Sequence, residues 1–266
     1  MSQQQRRDET PGVSKPGQPA AELPDHVAVI MDGNGRWARR QSLVRFRGHE
    51  QGAKSLRRIT RHCRSLSIRE LTIYALSTEN YARRPRREIR YLMGLLRDYL
   101  INERPELMDN DIRLVTIGDV ESLPDDVVAE MRETKRLTAG NKSMVLRLAL
   151  NYGARQEILR AVQGLLAQVK SGELTLPEVE ELDELTFRRF FYDPQMSDPD
   201  LLIRTAGEYR LSNFLLWQCS YTELWTTEAL WPDFDVADFD SALKSYVHRD
   251  RKYGAVSEEL GAATES

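Results

Sequence analysis

Val27-Ala28-Val29-Ile30-Met31-Asp32-Gly33-Asn34-Gly35-Arg36-Trp37 is the stretch on which the reading of this chain turns. A short, unbroken apolar run stops at one carboxylate, Asp32, and two glycines follow at once. The run has the length of a strand buried on both faces of a parallel sheet. A strand that ends in a Gly-rich turn and feeds a helix presents the first N–H groups of that helix, a natural seat for phosphate. Asp32 at the strand end is suited to hold Mg²⁺ against such a phosphate, because a hard cation takes oxygen ligands and usually only one or two carboxylates. Arg36 adds a planar fork matched to phosphate oxygens. The same residues also describe a plain strand-to-helix turn in which Asp32 only caps the helix. The nucleotide P-loop is absent, and Gly33, Gly35 and Ala38 approach only the variant ending of the dinucleotide fingerprint.

Working outward, apolar runs recur at 27–31, 70–76, 112–117, 144–150 and 200–204. Helical patterns lie between them at 48–66, 88–104, 121–138, 154–171 and 183–191, with a last one at 236–249. Alternating strand and helix predicts a single α/β domain, with a mostly parallel central sheet covered by helices on both faces. In such sheets ligands sit beyond the carboxyl ends of the strands. Three polar clusters fall at those ends, after Met31, after Leu76 and from Arg204 onward. Residues 1–23 are polar and Pro-containing and read as a disordered tail, 24–254 as the domain, and 255–266 as a flexible tail.

The balance of 41% hydrophobic and 30% charged residues is that of an ordinary globular chain. No apolar run is long enough to span a membrane, and the N-terminus lacks the apolar core of a secretory signal. Cys63 and Cys219 are the only cysteines, so a disulfide scaffold or a zinc site is not expected and a reducing compartment fits. Net charge is −3, but from Arg36 to Arg69 ten Arg and one Lys face a single Glu. That half suits a diphosphate, a polyanion or an anionic membrane surface, or is simply a solvated helix face.

The cluster Ser77-Thr78-Glu79-Asn80-Tyr81 offers an amide, Asn80, whose fixed oxygen can accept and relay a proton. It also reads as a strand-end turn with a Ser or Asx cap. Arg45-Phe46-Arg47-Gly48-His49 holds a histidine able to donate to a phosphate oxygen, or an ordinary surface histidine at a helix start. Arg204 and Arg210 flank a small-residue turn followed by Leu211-Ser212-Asn213-Phe214, a second anion site of two forks and a hydroxyl. Leu92, Leu95, Leu96 and Tyr99 share one helix face, which is either core or the wall of a tunnel. Asp125-Asp126, after Pro124, complements a helix dipole.

Together these stretches resemble the cis-prenyltransferases, most closely the bacterial undecaprenyl diphosphate synthases. The likeness is carried by His26 to Ala38, Arg45 to His49, Ser77 to Tyr81, Asp200 to Phe214, Tyr221-Thr222-Glu223-Leu224-Trp225 and Leu230-Trp231-Pro232-Asp233-Phe234. It implies an α/β fold with a hydrophobic tunnel. It also implies Mg²⁺-dependent condensation of isopentenyl diphosphate onto an allylic diphosphate such as farnesyl diphosphate, giving a long cis-polyprenyl diphosphate, the precursor of a cell-wall carrier lipid. Asp32 and Asn80 then become catalytic, and Asp32 and Glu223 metal contacts. Gly33, Asn34, Gly35, Arg36, Trp37, Arg45, His49, Ser77, Thr78, Glu79, Tyr81, Arg83, Arg84, Arg204, Arg210, Leu211 and Ser212 become substrate-binding. A cytoplasmic homodimer with peripheral membrane contact for product release, and no nucleic-acid partner, is implied in the same way.

The chain departs from the pattern in three places. Tyr81 stands where many members carry Trp. Ala82-Arg83-Arg84-Pro85 is one residue longer than expected, leaving open which arginine meets a diphosphate. Ala206 replaces a glycine, a change tolerated if its φ is negative. Two rivals fare worse. An Asp-nucleophile phosphatase needs a second Asp at the position of Asn34, and a non-catalytic prenyltransferase subunit would have lost Asp32 and the Arg-rich turn.

Overall fold

Every residue of β1 (His26–Ile30) is buried, as a strand flanked on both sides and covered on both faces requires. The structure, a computed structural model, describes residues 22–248; the tails read at 1–23 and 255–266 lie wholly or almost wholly outside them, as does residue 249. β1 pairs in parallel with β2 (Glu70–Ser77) on one side and β5 (Leu201–Arg204) on the other. β3 (Ile112–Ile117), β4 (Met144–Tyr152) and β6 (Glu223–Thr226) complete a six-stranded, all-parallel sheet of order β3-β4-β2-β1-β5-β6. From β1 the chain builds outward to β2, and later returns to add β5 and β6 on the opposite side. The β1/β5 boundary is therefore the topological switch point, where open α/β sheets bind ligands.

Alternation along the strands divides the core in two. Val27, Val29, Leu71 and Ile73 face α2 (Arg45–Ser65), α4 (Arg86–Asn102), α6 (Asp125–Thr138) and α10 (Val236–Val247). Ala28, Ile30, Tyr74, Ala149 and Leu202 face the start of α7 (Ala154–Ser171) and the irregular segment around Phe214 and Leu215. Helices thus cover both faces, but unequally.

The strand runs match the sequence reading to within two residues at each end, and the helix boundaries mostly follow. Pattern 88–104 stops at Asn102 because Pro105 starts a separate short helix, α5 (Arg104–Asp109). Pattern 183–191 shrinks to α9 (Glu184–Arg188), preceded by α8 (Leu176–Glu180), whose Thr175–Glu178 capping box was not anticipated. The remaining short α-helices are α1 (Asn34–Arg40) and α3 (Thr78–Arg83), which follow two of the strand ends. The arginines of α2 divide by face. Arg57 pairs with Glu103, Arg61 with Glu106, and Arg64 donates to the Asn110 carbonyl, so these hold α2 to the α5 region. Among the described residues no helix is long and apolar enough to cross a membrane.

Candidate active site

The ends of β1 and β5 bring Asp32 and Arg204 together, since Ile30 and Arg204 are register partners. Arg204 is almost fully buried. Its Nη2 donates to Asp32 Oδ2 at 2.9 Å, and its Nη1 donates to Ser212 Oγ at 2.7 Å and to the Arg210 carbonyl. Thr205 locks the same junction from the backbone side. Its Oγ1 accepts from the Asp32 N–H at 2.9 Å and donates to the Asp32 carbonyl at 2.8 Å. Asp32 does not cap α1: its Oδ1 accepts from the N–H of Gly33, itself the N-cap residue, and no side chain caps that helix. Gly33 has φ +99°, and a Cβ there would lie 2.8 Å from a Leu230 methyl, so only glycine fits. Arg36 reaches Asp32 at 3.7 Å and Glu208 at 3.4 Å while staying largely exposed.

A second cationic group borders this turn. Arg84 donates to Glu88 at 2.9 Å and faces His49 Nε2 at 3.5 Å, and Arg45 pairs with Glu88 at 3.4 Å. Burial, then the charges of Arg84 and Arg45, push the His49 pKa down to about 4, so the imidazole is neutral near pH 7. Arginine only donates, so Nε2 is the acceptor and Nδ1 carries the proton. The structure puts Arg84, not Arg83, in the wall of this cluster.

The α3 cluster is mostly built of anchors. Ser77 Oγ accepts from the Asn80 N–H at 3.1 Å as the helix cap. Thr78 donates to the Asn151 carbonyl, Tyr81 donates to the Ser122 carbonyl, and Glu79 accepts from Asn213 Nδ2 at 2.9 Å. Desolvation raises the Glu79 pKa, but hydrogen bonds from Asn213, its own N–H and Ser77, with the Arg83 charge, leave it below the usual carboxylate value. Ser77, Glu79 and Asn80 face the cavity, and of these Asn80 is the one whose side-chain amide holds no other element in place.

Most of the charged and polar groups above border one cavity of about 960 Å³, which runs from the strand ends down between the sheet and α2 and α4. Its polar end carries Asp32, Asn34, Arg36, Arg45, His49, Ser77, Glu79, Asn80, Arg84, Arg204, Arg210 and Ser212, with Gly33 and Gly35. Its inner wall is apolar, formed by Ala53, Leu56, Leu92, Leu95, Leu96, Tyr99, Leu148 and Leu150. The α4 face left open between core and tunnel wall lines this cavity, and its Leu92, Leu96 and Tyr99 also pack on the core. Trp231, Arg39, Leu43 and Asn213 also line the cavity. Trp231 and Asn213 were legible only as parts of motifs, and Arg39 and Leu43 carried no signal of their own.

Six expected residues are not brought to the cavity. Trp37 donates to Asp233 at 2.6 Å, and Thr78 and Tyr81 anchor α3. Arg83 is exposed on α3, and Leu211 packs on the second core cluster. Glu223 begins β6 opposite Leu201, which pairs with Val27, so within this chain it lies at the other end of the sheet from Asp32. Ala206 is also corrected: its φ is +72°, not negative, and its N–H is held by the Ala229 carbonyl at 2.8 Å.

Among the described residues no three His, Cys, Asp or Glu side chains cluster to cage a metal. Asp32 alone at the switch point, beside a turn open to the cavity, fits a hard cation that draws its other oxygens from water and a phosphate.

A switch-point cavity with clustered arginines at its mouth and an apolar interior has the chemistry to take an anionic head and a hydrocarbon chain at once. The comparisons agree. A prenyltransferase family described as undecaprenyl diphosphate synthase matches residues 30–254. The chain is 45% identical over 235 residues to an isoprenyl transferase of Geobacillus kaustophilus, spanning 88% of this chain and 90% of that one. It is 43% identical over 237 residues to the ditrans,polycis-undecaprenyl-diphosphate synthase ((2E,6E)-farnesyl-diphosphate specific) of Micrococcus luteus, covering 89% and 94%. Among solved structures, lavandulyl diphosphate synthase from Lavandula x intermedia, in complex with dimethylallyl diphosphate, superposes with a TM-score of 0.83 at 38% identity over 87% of this chain and 98% of that one. A probable undecaprenyl diphosphate synthase from Campylobacter jejuni gives 0.71 at 33% identity, covering 88% and 99%. The chain belongs to the undecaprenyl diphosphate synthase family of prenyltransferases. It is an enzyme that transfers prenyl groups.

Proposed function

We propose that the enzyme condenses isopentenyl diphosphate repeatedly onto farnesyl diphosphate, with Mg²⁺, to make undecaprenyl diphosphate. The observation that carries this is the single cavity in which the arginine-lined mouth continues into an apolar channel. In each step the allylic C–O bond breaks, a C–C bond forms to isopentenyl diphosphate, a proton leaves its second carbon, and pyrophosphate departs. The allylic diphosphate is assigned to the turn Gly33–Arg36, with Arg45, His49 and Arg84 around it. A helix start alone gives an anion about 0.3–2 kcal/mol. A large rate enhancement requires about 8 kcal/mol or more, so the guanidinium groups and the metal must supply most of the difference. Mg²⁺ on Asp32 would neutralise charge on the departing pyrophosphate. Arg204, Arg210 and Ser212 are assigned to the second diphosphate, whose fixed position aims the attacking double bond. Asn80 is assigned as the proton relay.

Each buried CH₂ of the growing chain gains about 0.8 kcal/mol against the apolar wall, which favours elongation into the channel. A cytoplasmic homodimer that meets the membrane only to release product completes the proposal. The half-exposed edge strand β6, beside the exposed Tyr221, is in keeping with pairing between copies. The test is incubation with farnesyl diphosphate, labelled isopentenyl diphosphate and Mg²⁺, with and without chelator, followed by sizing of products. A Mg²⁺-dependent ladder ending near the undecaprenyl length supports the reading, and no incorporation refutes it.

A further inference from the structure

Asn213 has no role in the chemistry above, yet every polar atom of its side chain is committed. Its carbonyl accepts from the Ala154 N–H at 2.8 Å and its Oδ1 from the Arg155 N–H at 2.9 Å. It thereby caps α7, whose own N-cap, Gly153, supplies no side chain. Its Nδ2 donates to Glu79 Oε1 at 2.9 Å and to Gln156 Oε1 at 3.1 Å. The approach is close, so a side chain at Gly153 would have to push both amides aside. A Cβ on Gly153 would lie 2.6 Å from Asn213 Nδ2 and 2.3 Å from Gln156 Oε1.

The neighbours give these bonds their meaning. Ser212, one residue before Asn213, receives Arg204 Nη1, and Asn80 is one residue after Glu79. Ser212 and Asn213 have φ +51° and +63°, so the turn reverses at this point. Tyr74 braces it from the sheet, donating from its hydroxyl to the Ser212 carbonyl at 3.2 Å and stacking on Phe214 at 4.4 Å. α3 is a helix of only six residues, too short to hold its own geometry.

We infer that Asn213 is a positioning residue: it clamps the turn carrying Arg210 and Ser212 to the helix carrying Asn80, and so fixes the proton relay against the second diphosphate. This rests on the proposed condensation. The clamp does not touch substrate; it acts through Glu79 on Asn80 and through the turn on Ser212.

The test exploits the polarity of the Asn213–Glu79 bond. Asn213→Asp keeps the acceptor that caps α7 but replaces the donor to Glu79 with a second carboxylate. Glu79→Gln in that background restores a donor from the other side. Wild-type turnover of farnesyl and isopentenyl diphosphates is the control for the functional reading. Given turnover, N213D is expected to lower kcat about tenfold with the farnesyl diphosphate KM within about twofold, and N213D/E79Q to recover most of the loss. A second readout needs no activity. Trypsin cutting after Arg83, followed by mass spectrometry at native temperature, is expected to be several-fold faster in N213D and to return toward wild type in the double variant. Arg84-Pro85 resists the protease, so a cut after Arg83 reports α3 alone. Unchanged kcat and cleavage in N213D, or defects that simply add in the double variant, would overturn the clamp. An inactive wild type whose cleavage pattern still shows rescue would overturn the functional reading and keep the clamp.

Discussion

Gly48→Ala adds one methyl group where α2 crosses the first turn of α1. A Cβ at Gly48 would lie 2.0 Å from the Asn34 carbonyl oxygen and 2.7 Å from its carbon, and both are backbone atoms that no rotamer change can move. Such contacts essentially never fall below 3.0 Å, so the two helices must part by about 1 Å. Asn34 belongs to the turn that begins at Asp32, so the displacement is transmitted to the diphosphate seat proposed above, while Arg204 stays on β5. A misplacement of about 1 Å costs on the order of 10²-fold in rate, or about 2.7 kcal/mol in the barrier. Stability responds less. Overpacking costs about 1–3 kcal/mol, and Ala in place of Gly inside a helix returns about 1 kcal/mol. The net loss of about 0–2 kcal/mol shifts Tm by at most about 8 °C in a chain of this size. The measurement is kcat/KM for labelled isopentenyl diphosphate with farnesyl diphosphate, beside a calorimetric Tm. Gly140→Ala is the control: nothing lies within 4 Å of its Cβ and its φ is not positive, so full activity and an unchanged or slightly raised Tm are expected. G48A with wild-type kcat/KM would refute the argument that close packing of α1 on α2 sets the site's geometry.

Asp32→Ala should abolish turnover while Tm stays within a few degrees; full activity in this variant would remove Asp32 from the metal and from catalysis. Arg204→Ala should raise the KM for isopentenyl diphosphate far more than that for the allylic partner, and should also lower kcat, because Arg204 steadies Asp32 and the Ser212 turn. An equal rise in both KM values would remove its assigned role. His26 and His49 are both depressed to about 4, chiefly by burial. Each is neutral when folded and binds a proton more readily when unfolded, so stability is full above about pH 6.5 and falls as pH drops toward 4. The slope of unfolding free energy against pH in that window should therefore approach two protons, and His49→Gln should remove about one of them. A flat profile between those limits would contradict the burial argument.

The parts of the fold legible in the sequence were those with strong local periodicity. β1 could be read because all of its side chains are buried, and α2, α4, α6 and α7 because each carries one apolar face. β6 left no such trace: its four residues are half-exposed and sit at the edge of the sheet. For the site, charged and glycine positions were legible and the direction of side chains was not. Thr78, Glu79 and Tyr81 share a motif with Asn80, and motif membership alone cannot separate a reacting group from the hydrogen bonds that hold it. Those bonds run to Asn151, Asn213 and Ser122, more than thirty residues away in sequence. Tertiary contacts likewise place Arg84 rather than Arg83 on the cavity wall, beside Glu88 and His49.

Ala206 shows where local rules give way for a reason. A negative φ was the condition for replacing glycine there, and the structure has +72°. The neighbourhood explains why the fold tolerates it. Ala206, Gly207, Ser212, Asn213 and Leu215 all have positive φ, five of the twelve such residues described, within one ten-residue stretch. Left-handed conformations at non-glycine residues cost about 1–2 kcal/mol each, so the stretch persists only because its surroundings over-determine it. They do: Ala206 and Gly207 donate to the Ala229 and Thr227 carbonyls, Asn213 caps α7, and Phe214 and Leu215 are fully buried. Strain held this firmly fixes the Arg210–Ser212 turn before any ligand arrives. A diphosphate bound there need not order the loop, and more of its binding energy remains for aligning the double bond.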